Sequence, residues 1–221
     1  KEAHEPLHPQ IFARAIGQKA SSDAIFTIAP GTAAIWAVRN ISFHGDRRIL
    51  GSFNHGSMGV GLPSAIGAQA LYPEREVWGL VGDGSFTMGM QDFLTAVERK
   101  LPIKIIVFNN GELGFVKLEM EESGLAPQYG ALKQFNPNFA DFAKLCGGDG
   151  VRVEHAKDIE AAVEMAKRST KPFIIDAVVS GGEVSFPPHI SWKQVLGFGR
   201  SKIKETALAV SGDAAQWKNL S

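Results

Sequence analysis

The sequence has little sulfur, no net charge and no long apolar run, and each absence removes a class of protein. A single cysteine, Cys146, in 221 residues excludes an internal disulfide framework and suits a reducing compartment. It reads as an ordinary buried or partly buried thiol. Lysine plus arginine and aspartate plus glutamate both total 23, so the basic excess that nucleic-acid binding requires is missing. No apolar stretch approaches the ~20 residues of a membrane span. The first nine residues, KEAHEPLHP, carry charge without the apolar centre of a signal peptide. The six histidines, His4, His8, His44, His55, His155 and His189, show no zinc-like spacing. There is no G-x-S-x-G and no P-loop, and Gly59-Val60-Gly61 lacks the third glycine of a dinucleotide fingerprint. Repeats and low-complexity tracts are also absent.

What is present is an alternation of short apolar runs with helical patterns. Strands are expected over 24–28, 48–51, 77–81, 103–108, 150–153 and 173–179, and helices over 9–20, 32–37, 64–71, 86–100, 138–145 and 156–168. The chain is 44% hydrophobic and long enough for one sizeable core. The expected architecture is a three-layer α/β/α domain with a mostly parallel sheet of about six strands. Domain limits are expected at 1–196, followed by a tail over 197–221.

Two phrases carry the chemistry: Gly82-Asp83-Gly84-Ser85 and Asn109-Asn110-Gly111-Glu112, each after an apolar strand. Between them Phe86, Met90, Phe93, Leu94 and Val97 form a helical apolar stripe, which Pro102 stops. A helix of about 14 residues runs back roughly 21 Å, and a strand of about 6 residues returns roughly 20 Å. Asp83 and Asn110 are therefore expected at one edge of the sheet, where ligands of parallel sheets bind. The Asp83 carboxylate, the Asn110 amide and a backbone carbonyl near Glu112 form an all-oxygen set suited to Mg²⁺. Gly84 allows close approach of a phosphate, and Ser85 with the first helical amides supplies donors. Gly31-Thr32 is a second helix start suited to an anion. The glycine-rich stretch over 54–63 turns tightly into the next helix. The segment over 111–131 reads as a flexible polar loop that covers a site, with Glu121 and Glu122 on a solvated face.

Gly-Asp-Gly followed by Asn-Asn at this spacing resembles the signature of thiamine diphosphate enzymes, and the whole chain is similar to their C-terminal, diphosphate-binding domain. Ser52-Phe53-Asn54-His55-Gly56-Ser57-Met58, Leu113-Gly114-Phe115-Val116 and Pro187-Pro188-His189-Ile190 resemble the flavin-containing pyruvate oxidases and quinone-reducing pyruvate dehydrogenases. The resemblance implies that Gly31 and Thr32 meet the diphosphate. It implies that Gly56, Ser57 and Met58 hold the aminopyrimidine, with Met58 keeping the cofactor bent, and that Gly114 belongs to the cofactor site. His55, within the pyrimidine loop, is a candidate for a polar contact. Phe115, Val116 and Glu119 are implied to face the substrate, with the Glu119 carboxylate handling protons. Thiamine diphosphate and Mg²⁺ are the implied cofactors, with FAD on a domain absent here and pyruvate or a related 2-oxo acid as substrate. The resemblance further implies that the chain is part of a longer three-domain enzyme and inactive alone, and that the N-terminal domain of a neighbouring subunit completes the site in a homotetramer. Acetolactate synthase and other carboligating or non-oxidative relatives share the signature, and a degenerate diphosphate-binding module is the non-enzymatic alternative. The protein is expected in the cytoplasm. Relatives that reduce quinone dock a C-terminal amphipathic segment on the membrane, and Lys202, Ile203, Lys204, Leu208 and Trp217 could serve such peripheral contact. The irregular spacing and the break at Ser211-Gly212-Asp213 favour a packed or frayed terminus instead.

Overall fold

Each apolar run becomes a strand, and all strand pairs are parallel. The computed structural model describes residues 7–181 and 191–210. In chain order its larger unit contains α1 (Pro9–Lys19), β1 (Ile25–Ile28), α2 (Thr32–Asn40), β2 (Arg48–Gly51), α3 (Gly61–Leu71), β3 (Val77–Gly82), α4 (Asp83–Thr87), α5 (Phe93–Glu98) and β4 (Lys104–Asn109). The second unit, taken up separately below, holds α6 (Gly114–Glu122) and α7 (Tyr129–Leu132). The larger unit resumes with α8 (Phe139–Leu145), β5 (Asp149–Val153), α9 (Ile159–Arg168) and β6 (Phe173–Val178).

The sheet order is β2-β1-β3-β4-β6-β5. Successive side chains of a strand point to opposite faces, so β4 divides its apolar residues between two cores. Ile106 and Phe108 join Phe12, Trp36, Trp78 and Val163 on the side of α1, α2 and α9. Ile105 and Val107 join Leu62, Ala65, Phe93 and Phe139 on the side of α3, α5 and α8. Two buried helical layers around a parallel sheet give the expected three-layer α/β/α fold, and they explain why the strands read as continuous apolar runs.

The order matters for position. From β1 the chain first goes outward to β2 and then crosses back to β3 on the other side, so the direction of winding reverses between β1 and β3. Gly82 of β3 is in register with Phe108 of β4. Asp83 and Asn109 thus leave the sheet at the same carboxyl edge, beside the reversal.

The helix expected over 86–100 is not continuous. It breaks into α4, a 3-10 turn at Met90–Asp92, and α5. Gly89 takes a non-helical φ of -137° and ψ of 14°, and an added Cβ there would lie 3.2 Å from the carbonyl oxygen of Gly59. Leu94, placed in the apolar stripe by its spacing, is instead 54% exposed because the turn changes the phase of α5. The length argument for a 14-residue crossover therefore fails, while the parallel register delivers the same edge.

The second unit contains residues 111–135 and 191–210 among those described, with α10 (Trp192–Val210) as its longest helix. The segment expected as a flexible loop contains α6, and α10 runs unbroken through the boundary expected at 196–197. α10 buries Gly197, Ser201 and Glu205, at successive four-residue steps, against α6. A Cβ on Gly197 would stand 1.9 Å from the Glu122 carbonyl oxygen, so the two backbones touch. Ser201 Oγ donates to the Leu125 carbonyl at 2.7 Å, and Lys204 Nζ to that of Gly124 at 2.8 Å. Lys202 Nζ lies 2.8 Å from Glu121 and 2.9 Å from Glu205. Glu121 is therefore 4% exposed and paired, not on a solvated face. The Pro187-Pro188-His189-Ile190 phrase, His4, the Ser211-Gly212-Asp213 break and Trp217 lie outside the described residues.

Candidate functional site

The carboxyl edge of β3 presents a buried carboxylate. Asp83 opens α4 and is 3% exposed; its Oδ1 accepts from the Gly84 N–H at 2.8 Å and its Oδ2 from Asn136 Nδ2 at 2.7 Å. Gly84 thus uses its N–H to fix the carboxylate, and its carbonyl accepts from Thr87 Oγ1 at 3.0 Å. Ser85 is 4% exposed, and its hydroxyl accepts from the Gly59 N–H at 2.9 Å, tying the glycine-rich loop to the Asp83 turn. A hydroxyl that accepts there can still donate to an anion.

Asn110 follows β4 and is half-buried. Its neighbour Asn109 points elsewhere: Asn109 Nδ2 donates to Asp176 Oδ1 at 2.9 Å, and Asn109 Oδ1 accepts from Asn136 Nδ2 at 2.9 Å. Asp176, in the middle of β6, is fully buried and accepts also from the Phe139 N–H at 3.1 Å and from Arg152 at 2.7 Å. Partial burial works against the Arg152 charge, but the hydrogen bond to Glu154 and the carboxylate of Asp176 outweigh it and push its pKa above the usual guanidinium range. Asp83, Asn136, Asn109, Asp176 and Arg152 form one chain of hydrogen bonds. Sequence reading missed Asn136, Asp176 and Arg152. The only signal was the Asn136-Pro137-Asn138 phrase before a helix, of which Asn138 is the cap, accepting from Ala140 and Asp141.

Gly31 follows β1 with φ of +117° and caps α2 without a side-chain hydrogen bond from the cap position, and Thr32 is the first helical residue. Gly56 (φ +61°), Ser57 and His55 are exposed, and Met58 is half-buried. The Gly56 N–H donates to the Ser52 carbonyl at 2.9 Å and the Ser57 N–H to Ser52 Oγ at 3.3 Å, so the loop holds its own shape. Thr27 Oγ1 of β1 donates to the Gly61 carbonyl at 2.8 Å and fixes the exit of the loop. A cleft of about 620 Å³ on the β2 side, lined by Leu50, Ser52, Val60, Ser64 and Tyr72, is mostly apolar and includes none of the Asp83 cluster.

In the second unit, Glu112 and Lys117 pair at 3.1 Å, and the Glu112 carbonyl accepts from the Gly114 N–H at 3.0 Å. A carbonyl has a second lone pair, so it keeps the capacity to ligate. Phe115, Val116 and Glu119 share an exposed strip of α6, with Gly114 at the start of that helix.

The donor set fits a hard cation carrying a diphosphate. Asp83 and Asn110 offer oxygen, and a single carboxylate with an amide suits Mg²⁺, which takes further oxygens from phosphate and water. Among the described residues no group of three or more His, Cys, Asp or Glu side chains could hold a metal. A Cβ added at Gly31 or Gly82 would meet nothing within 4 Å, so open space borders the backbone at the ends of both β1 and β3.

The family model for the thiamine pyrophosphate enzyme, C-terminal TPP binding domain, matches residues 29–177. The chain belongs to that family. It is 34% identical over 203 residues to YdaP of Bacillus subtilis (strain 168), covering 92% of this chain and 35% of that protein. It is 36% identical over 181 residues to a pyruvate oxidase of Lactiplantibacillus plantarum, covering 80% and 29%, and 31% identical over 189 residues to an acetolactate synthase of Mycobacterium avium, covering 84% and 30%. The chain spans about a third of the length of these curated relatives.

Proposed function

We propose that this chain is the thiamine diphosphate- and Mg²⁺-binding domain of a flavin-dependent pyruvate oxidase or pyruvate:quinone oxidoreductase. The observation that carries the cofactor part is the Asp83 carboxylate, buried at the winding reversal with open glycine backbone beside it. The similarity to a pyruvate oxidase at 36% identity supports the choice of reaction. Similarity at 31% to an acetolactate synthase supports a second reading, carboligation.

In the proposed site Asp83, Asn110 and the Glu112 carbonyl hold Mg²⁺, while Gly31, Thr32 and Ser85 bind the diphosphate, the amides of α2 presenting positive dipole to it. Gly56, Ser57 and Met58 position the aminopyrimidine. Thiamine diphosphate supplies, when bound, a carbon acid that adds to a 2-oxo acid and an electron sink for the pair left as CO₂ departs. Phe115 and Val116 shape the substrate side, and Glu119 moves a proton at its carboxylate. FAD would be held on another domain, where it would supply the electron acceptor. The N-terminal domain of a neighbouring subunit completes the site within a homo-oligomer, and the enzyme works in the cytoplasm.

Anaerobic mixing of the full-length, cofactor-loaded protein with pyruvate tests the reading. Bleaching of the flavin absorbance is expected, and Glu119→Gln should slow turnover by about 10²-fold. Accumulation of acetolactate without flavin reduction would replace this reading with the second one.

A further inference from the structure

Asn136 is not among the residues expected to touch the cofactor or the metal, yet its side chain sits between two groups at the edge of the sheet. Its Nδ2 donates to Asp83 Oδ2 at 2.7 Å and to Asn109 Oδ1 at 2.9 Å. The orientation of this amide follows from the chemistry of its neighbours. A carboxylate accepts and does not donate, so Asp176 compels Asn109 to present its Nδ2. That turns Asn109 Oδ1 toward Asn136, and both Asn109 Oδ1 and Asp83 Oδ2 then demand donors. Asn136 supplies both from one NH₂ group.

The consequence is an orphan. With both N–H bonds committed, Asn136 Oδ1 is buried and has no hydrogen-bond partner. A buried acceptor left without a donor is destabilising, and here it adjoins the carboxylate expected to hold a cation. Mg²⁺ keeps several of its waters, and each is a strong donor. We propose that Asn136 is a positioning residue of the metal site: Nδ2 orients the Asp83 carboxylate, and Oδ1 accepts from a water on the bound cation. Asn109, Asp176 and Arg152 hold Asn136 in place from behind, Arg152 reaching Asp176 at 2.7 Å and Glu154 at 2.8 Å. The inference rests on the reading of Asp83 as a metal ligand. It differs from that reading in assigning a function to a residue that does not itself touch the metal.

The test is uptake of Mn²⁺, followed by the loss of the free-ion electron paramagnetic resonance signal, in the full-length protein with thiamine diphosphate present. Asn136→Ala removes the side chain; Asn136→Leu keeps its shape but has neither donor nor acceptor. Partners that orient metal ligands typically affect affinity 10–100-fold, so both variants should bind Mn²⁺ weaker by that factor. Apo-protein melting, measured in parallel, separates a merely structural role, which would lower the midpoint and leave Mn²⁺ affinity unchanged. Wild-type affinity in both folded variants would overturn the role of Asn136 while leaving the site intact. Absence of Mn²⁺ uptake by the wild type would overturn both the site and the inference.

Discussion

Gly61→Ala is the substitution whose effect the structure specifies most closely. Gly61 begins α3 under the sheet, and a Cβ there would stand 2.3 Å from Val81 Cγ1 and 3.4 Å from Ala29 Cβ. Carbon atoms pack at about 3.5–4.0 Å, so Val81 or the start of α3 must move by about 1 Å or more. Overpacking of this kind costs about 1–3 kcal/mol. Val81→Ala alone removes two methyl-sized groups, worth about 1.6 kcal/mol before any cavity is counted. Independent effects would sum to about 3–5 kcal/mol, but in the double variant the new methyl fills the vacated space, and the cost should fall to about 1–2 kcal/mol. Urea unfolding of the four proteins in the cycle, followed by circular dichroism, measures the coupling. Because the Gly61 carbonyl is the acceptor for Thr27 and the glycine-rich loop ends there, Gly61→Ala should also weaken thiamine diphosphate binding, and Val81→Ala should restore it. Additivity within about 0.5 kcal/mol would refute the contact.

Other outcomes follow from charged groups in unusual places. Arg47 is 9% exposed and donates to the carbonyls of Gly17, Ala20, Ser21 and Ser42, closing the end of α1; Arg47→Ala should cost about 2–4 kcal/mol in urea unfolding and leave cofactor affinity unchanged. Lys104 is 6% exposed at the start of β4, and burial holds its pKa below the ordinary 10.5 against the opposing charge of Glu76. The unfolded chain therefore binds this proton more tightly than the folded one, so Lys104→Met should raise the melting temperature at neutral pH. That gain should shrink as pH rises through the lowered value toward 10.5. Lys202 behaves oppositely: partial burial lowers its pKa, but hydrogen bonds and the charges of Glu121 and Glu205 raise it further, above 10.5. Its contribution is complete below the ordinary lysine value and disappears as pH climbs through the raised one. Melting curves across the alkaline range should show this loss in the wild type and not in Lys202→Met.

The sheet was legible because parallel strands covered on both faces must be apolar throughout, and 77–81 and 103–108 fall within a residue of β3 and β4 at each end. The helix over 86–100 was misread because the apolar spacing survives the break at Gly89, whereas the backbone does not. α6 and α10 were missed for a different reason. Their contact is made by Gly197, Ser201, Glu205, Glu121 and Lys202, and hydropathy periodicity cannot register a face built from small and charged residues. At the site, Asp83 and Asn110 were visible because a short motif fixes them on successive strand ends. Asn136 and Asp176 reach the same cluster from 53 and 93 positions after Asp83 in sequence, by a fold-level coincidence of loop and strand that spacing does not encode.

Calorimetric titration of thiamine diphosphate into the full-length protein, with and without Mg²⁺ and alongside Asp83→Ala, measures whether cofactor binding depends on the metal and on this carboxylate. Binding that requires Mg²⁺ and is lost in the variant is the predicted result. Binding that is indifferent to the metal, or that survives in Asp83→Ala, would contradict the account of this edge of the sheet as a metal-diphosphate site.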